Sequence, residues 1–165
     1  MKGFIMTQTT KNDLPSANRK KINLLLGQLL ADGIDLHYQT KQAHWNVKGE
    51  NFIALHELFD LLATEVSLAV DTIAERIMQL GGSAQGTVRV AAKKSRLKEY
   101  PLDAVGSQEH VDALSSALAI FNKNARKAID ETATLGDAVS ADMFTSMTRG
   151  LDKQLWFVES HLKNK

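Results

Sequence analysis

The stretch NFIALHELFDLLATEVSLAVDTIAERIMQLGG, residues 51–82, decides the fold. Apolar residues recur through it at helical spacing (Ile53, Leu55, Leu58, Phe59, Leu62, Val66, Leu68, Val70, Ile73 and Ile77), and Gly81-Gly82 stops the run. The period predicts one long helix from about Asn51 to Leu80. Its apolar residues cover more than one narrow stripe, as required of a helix that packs inside its own chain and against another subunit. Within that pattern His56, Asp60, Asp71 and Glu75 follow one another at steps of four, eleven and four residues. At about 3.6 residues per turn, all four return to nearly the same side.

The centre of the His56/Asp60 pair nevertheless lies about 22 Å from the centre of Asp71/Glu75, at about 1.5 Å of rise per residue. One straight helix cannot close both pairs around one metal. A second copy packed antiparallel, about a two-fold axis near residues 65 and 66, sets His56/Asp60 of one chain against Asp71/Glu75 of the other. Symmetry then generates two equivalent sites. Between the pairs, Ala63, Thr64, Ser67 and Leu68 suit the close approach of two helices. His44, in the run Lys41-Gln-Ala-His-Trp-Asn46, offers a further imidazole. A mixed nitrogen and oxygen set favours a borderline or hard transition ion, iron ahead of a structural zinc. A second reading stands beside this one. Acids and histidines on a helix commonly face solvent or make ordinary salt bridges, and His44 beside Trp45 also fits a core histidine donating to a carbonyl.

Outward from this helix, an earlier one is expected from Ser16, as a cap, to about Asn46, with apolar residues from Ile22 through Leu36 and Gly49 at its exit. After Gly82, residues 83–106 form a long connection holding Lys93-Lys-Ser-Arg96 and Tyr100-Pro-Leu102. Such length crosses a bundle from end to end, with a short helix expected around Val90 to Lys98. The basic stretch reads as solvated surface, with phosphate contact as the other reading. A third long helix runs from about Ser107 to Thr132, with Val111, Leu114, Leu118, Phe121, Ala125 and Ile129 near one face. Asp137 starts a fourth, which carries Val139, Met143, Met147, Leu151, Leu155, Trp156 and Val158. The fold class is all-α, a four-helix bundle with a long crossover between the second and third long helices.

Composition narrows the chemistry. The chain has 165 residues and a formal charge of +1, so bulk electrostatics neither requires nor excludes nucleic acid. Cysteine is absent, which removes thiolate zinc sites, cysteine-ligated iron-sulfur clusters, cysteine nucleophiles and disulfides. No apolar run approaches the roughly twenty residues of a membrane span. Residues 1–14 are expected to form a flexible, modestly basic arm. Lys2, Lys11, Arg19, Lys20 and Lys21 are opposed only by Asp13 up to residue 21.

The blocks Thr40-Lys-Gln-Ala-His-Trp-Asn-Val-Lys-Gly49, Asn51–Asp60, Asp71–Gly82, Tyr100-Pro-Leu-Asp103 and Leu151–Glu159 stand in an order that resembles the Dps family. These are ferritin-like miniferritins that handle iron and protect DNA in bacteria. The likeness covers residues 13–162. It implies a ferritin-like four-helix domain over 15–165 and a hollow homododecamer with dinuclear iron sites between two-fold-related chains. His44, His56 and Asp60 would come from one chain and Asp71 and Glu75 from its partner. Glu75 would hold the tightest iron position. No Glu-x-x-His motif occurs in the chain, so an iron centre inside a single bundle is not encoded.

The implied activity is ferroxidase: Fe(II) is oxidised, preferentially by hydrogen peroxide, and Fe(III) is stored as mineral in the shell. Trp45 and Trp156 are candidates for quenching radicals or relaying an electron, although core packing is the expectation for both, more strongly for Trp156. Acids near the junction of the last two helices, Asp130, Glu131, Asp137 and Asp142, are candidates for an iron path, with Asp137 and Asp142 leading. Nonspecific DNA binding through twelve short arms, a cytoplasmic setting and association with the nucleoid also follow from the resemblance. The competing readings are a structural DNA-compacting shell without significant ferroxidase activity and a catalytically inert helical oligomer. The complete ligand set argues against both.

Overall fold

The computed structural model describes residues 8–163, and all regular structure among them is helical. The elements are α1 Ser16–Asn46, α2 Phe52–Gln79, α3 Val88–Lys94, α4 Ser107–Thr134 and α5 Ala138–Glu159. The long helices match the sequence reading closely at their ends, and α3 is the short helix of the crossover, displaced a few residues toward the N-terminus from its expected place. The ends have identifiable causes. Gly81 adopts φ 75°, its amide bonds to Met78 O and that of Gly82 to Ile77 O, each at 2.9 Å. This is the paired C-terminal capping that a left-handed glycine permits. Gly136, at φ 81°, ends α4 the same way through Ala133 and Thr132. Ser16 does not cap α1, however. Pro15 occupies that position without a side-chain cap bond, and Arg19 Nη1 gathers the carbonyls of Asn12 and Leu14 instead.

Loop contacts set the topology. Ser107 Oγ donates to Lys48 O at 2.8 Å, so α4 begins beside the end of α1. Asn18 Nδ2 donates to Leu135 O at 2.9 Å, so α4 finishes beside the start of α1. Helices α1 and α4 are therefore antiparallel, α2 runs with α4, and the crossover carries the chain the full length of the bundle. Leu26, Leu30, Leu36, Phe59, Leu62, Val66, Ile73, Leu114, Leu118 and Phe121 fill its centre. On α5 the expected apolar set proves too broad. Phe144, Leu151 and Val158 form the buried row, whereas Val139 and Trp156 are exposed. Gly33 marks a close approach, since a Cβ there would stand 2.9 Å from Val70 Cγ2.

Two ion pairs, each with a buried carboxylate, tie the frame together, and each recruits residues first read otherwise. Asp32 is fully buried and accepts from the Arg96 amide at 2.9 Å and from its Nε at 3.0 Å. Gln39 Nε2 donates to Lys98 O at 3.0 Å. The crossover is thus strapped to α1, and Arg96, exposed like Lys93 and Lys94 as the solvated reading expects, also forms part of that strap. At the opposite corner Arg76 donates from Nη2 to Asp137 at 2.8 Å and from Nε to Ser140 at 2.9 Å. The Asp137 carboxylate also accepts from the Ser140 amide and hydroxyl, capping α5. Asp137 is 2% exposed, so its expected place in an iron path is overturned: its charge is neutralised inside the chain. No helix among the described residues is long and apolar enough to cross a membrane.

Burial alone would raise the Asp137 pKa, yet the Ser140 bonds and the Arg76 guanidinium outweigh it and hold the carboxyl below its ordinary value. Asp137→Ala leaves Arg76 buried without its counter-ion and is expected to cost about 3 kcal/mol at neutral pH. The contribution of a depressed carboxylate is complete above its unfolded pKa and is lost as pH falls through the folded one. Urea unfolding midpoints of parent and variant should therefore differ at neutral pH and converge on acidification.

A candidate metal centre on an open helix face

His44 lies in the last turn of α1, where carbonyls have no following amide within the helix. The Nδ1 of His56 lies 2.9 Å from His44 O, and the Nδ1 of His44 lies 2.8 Å from His56 O. The two rings stack with centroids 3.8 Å apart and planes inclined by 23°. A carbonyl only accepts, so each Nδ1 carries a proton, and in a neutral ring that leaves the lone pair on Nε2. This is the tautomer and the support that a metal-ligating imidazole requires. The competing reading of His44, a histidine donating to a carbonyl, describes this bond equally well.

Asp60, one turn beyond His56, brings Oδ1 to 3.9 Å from His44 Nε2. Three of the five residues thus converge from two helices. A fourth side chain, which the sequence reading left unassigned, joins them. Lys41 Nζ stands 2.7 Å from Asp60 Oδ1. Its hydrogen bond, then its charge, holds the Asp60 pKa below the usual carboxylate value. The signal was present in the sequence, because Lys41 and His44 sit three apart on one helical face.

Asp71 and Glu75 are exposed near the other end of α2 and do not approach this cluster. Among the described residues of the single chain, no three histidines or acids close around a metal. The surface between the two halves is open. A groove of about 300 Å³ beside Asp60 and one of about 710 Å³ beside Asp71 share His37, Ser67 and Leu68. Leu68 is 66% exposed and Tyr38 52%. His37 was also missed. It lies seven residues before His44 and repeats its device, with Nδ1 3.0 Å from Ala63 O.

The remaining candidates separate cleanly. Trp156 is 63% exposed and Trp45 62%, so the expected core packing is wrong for both within the chain, and Trp45 lies under the Lys41 ammonium, 5.9 Å from the ring centroid. Asp130 and Asp142 are exposed, and Glu131 pairs with Lys127 at 3.3 Å.

Comparison with known proteins agrees with this architecture. Residues 23–165 match the ferritin-like domain family. The DNA protection during starvation protein of Agrobacterium fabrum is 46% identical over 159 residues, spanning 96% of this chain and 98% of the relative. That of Mycolicibacterium smegmatis is 34% identical over 159 residues, spanning 96% and 86%. Among solved structures, the tetragonal form of Mycobacterium smegmatis Dps superposes with a TM-score of 0.90 at 34% identity, covering 96% of this chain and 95% of that one. DpsC from Streptomyces coelicolor gives 0.92 at 29% identity, covering 100% and 97%. A bundle with one end-to-end crossover, a family match over most of the chain and these relatives together establish that the chain belongs to the Dps family of ferritin-like proteins.

Proposed function

We propose that the chain is the subunit of a hollow twelve-subunit shell that oxidises Fe(II) with hydrogen peroxide and stores the Fe(III) as mineral. The observation that carries this reading is the reciprocal His44/His56 lock. It orients two imidazoles beside Asp60, and the later ladder acids of α2, Asp71 and Glu75, are exposed without a metal-binding set of their own in the single chain. Pairing α2 with a symmetry-related copy brings the halves together and covers Leu68 and Tyr38. Each site then offers two imidazoles and three carboxylates. Iron is the substrate. Carboxylates neutralise Fe(II) and remain good ligands for Fe(III), while neutral imidazoles temper the negative charge.

Two Fe(II) ions supply the two electrons that convert one hydrogen peroxide, with two protons, into two waters. Removing both reactants together suppresses hydroxyl radical near DNA, in keeping with the starvation-protection names of the relatives. Lys41 holds Asp60 in the absence of substrate, and an incoming cation displaces the ammonium from the carboxylate. A cytoplasmic setting beside the nucleoid belongs to the same reading. DNA association is nonspecific and rests on the N-terminal arm. Lys11, Lys20 and Lys21 are exposed, Arg19 is engaged with the backbone of Asn12 and Leu14, and Lys2 lies outside the described residues.

The test is anaerobic loading of the shell with Fe(II), followed by a peroxide pulse with Fe(III) formation and peroxide loss recorded together. Glu75→Ala is expected to leave shell size unchanged while slowing coupled oxidation at least about tenfold, the low end of what losing even a supporting partner of a ligand costs. Oxidation at the parental rate would remove Glu75 from the site. Lys41→Met should tighten Fe(II) binding, by up to about fivefold, because only an exposed ion pair is removed. Anaerobic titration reads this directly, and weaker binding would mean that Lys41 supports the site rather than competing for it. Deleting residues 1–11 should weaken DNA binding and flatten its dependence on salt. Unchanged affinity would move DNA contact to the shell surface.

A further inference from the structure

The crossover ends in a buried pair that the iron site does not use. Tyr100, 8% exposed, sets its hydroxyl 2.6 Å from Nδ1 of His110, which is 1% exposed. The His110 ring also meets the Asn46 backbone, and its Nε2 is sealed from solvent with no partner in full hydrogen-bond geometry. With Nδ1 accepting the phenol proton, Nε2–H is left to face the Asn46 carbonyl. That residue closes the turn of α1 that carries His44, two positions on. The link comes from the topology, since α4 starts over the end of α1. Burial pushes the Tyr100 phenol up and the His110 imidazole down from their ordinary values. The resting pair is a protonated phenol against a neutral base.

A half-filled site poses a chemical problem that this pair is equipped to solve. Hydrogen peroxide needs two electrons to become two waters, and one Fe(II) supplies one. Left there, the reaction releases hydroxyl radical. We propose that Tyr100 supplies the second electron when one Fe(II) occupies the site, with His110 Nδ1 taking the phenol proton; this rests on the ferroxidase reading above. The step balances: Fe(II), the phenol and the neutral imidazole, with hydrogen peroxide and two solvent protons, give Fe(III), a tyrosyl radical, an imidazolium and two waters. A later Fe(II) returns an electron to the radical, the imidazolium returns the proton, and a second Fe(III) is formed. Trp45 is nearer to His44 in sequence but poorer for the task. Its ring is largely exposed, and the Lys41 ammonium above it opposes the positive charge of an oxidised indole. Tyr100 has instead a built-in proton acceptor in a site closed to water.

The experiment loads shells with one Fe(II) per subunit site, adds hydrogen peroxide, freezes the sample and records electron paramagnetic resonance alongside trapping of hydroxyl radical. The expected result is a neutral tyrosyl signal whose splitting changes when the protein carries ring-deuterated tyrosine, a readout that needs no mutation. The chain has two tyrosines, and the signal should survive Tyr38→Phe and vanish in Tyr100→Phe, with trapped hydroxyl radical rising several-fold. Fully loaded Tyr100→Phe shells should keep coupled oxidation, which separates this inference from the ferroxidase reading. A signal insensitive to tyrosine deuteration, one that persists without Tyr100, or peroxide consumption with no radical overturns the assignment. If the fully loaded parental shell fails to couple Fe(II) oxidation to peroxide loss, the ferroxidase reading falls and this inference with it.

Discussion

A straight helix cannot fold back on itself, and the arrangement of α2 follows from that limit. His56 and Glu75 stand nineteen residues apart on one face, roughly 28 Å along the axis. A bundle that enclosed this face would separate the two halves permanently, whereas a bundle that leaves it bare lets symmetry reunite them. The chain takes the second course. Phe59, Leu62, Val66, Ile73 and Ile77 turn inward, and Asp60, Thr64, Leu68 and Asp71 remain outside. In the proposed pairing the exposed Leu68 and Tyr38 would serve the same purpose as the acids beside them, since a metal site shared between chains needs an apolar contact to hold its two halves in register.

The long crossover is what makes that bare face available. A chain returning by short hairpins would place its connections elsewhere on the bundle, but here the return runs over α1, pinned by Asp32 to Arg96 and by Gln39 to the Lys98 carbonyl. Among the described residues the buried carboxylates and guanidinium, Asp32, Asp137 and Arg76, lie at such fastening points, where each has its counter-ion and further hydrogen bonds. Arg76 and Asp137 repeat the rule at the other corner. These pairs are costly to break, and the removal of one partner is felt far more than the loss of an exposed pair. The ladder acids Asp60, Asp71 and Glu75 stay at the surface, as the proposed role toward a mobile substrate requires.

The fold was legible because its signals are local. The apolar period of residues 51–80 and the pair Gly81-Gly82 define one helix, and Gly136 with Asp137 mark the turn between the last two. Pro15 defeated the expectation for Ser16 because an arginine, rather than a capping hydroxyl, organises the start of α1. Legibility declined where a residue's role depends on a distant partner. Asp137 carries the same sequence signal as Asp142, and only the arrival of Arg76 from α2 distinguishes the buried cap from the exposed acid. Arg96 was hidden in the same way among lysines. Trp156 was misjudged for the opposite reason. A large aromatic in an apolar row is ordinarily core, but the buried row of α5 follows Phe144, Leu151 and Val158 and leaves the indole outside. Of the candidate site, the four ladder residues and His44 could be proposed from periodicity and resemblance, while the lock between His44 and His56 could not, since nothing in their spacing says that each ring binds the other's carbonyl.

That lock bears on why folding of the chain and filling of the site can be separate events. Three carboxylates and two imidazoles gathered in a bundle core would need a metal, protons or cations to offset their desolvation before the chain could fold. Here each imidazole is oriented by a neutral carbonyl, Asp60 is held by Lys41, and Asp71 and Glu75 are left in water. The subunit thus folds with its ligands oriented but uncommitted. In the proposed shell, assembly would then concentrate the acids and Fe(II) would relieve the field so created, so that attraction for the substrate would arise when two chains meet and not before.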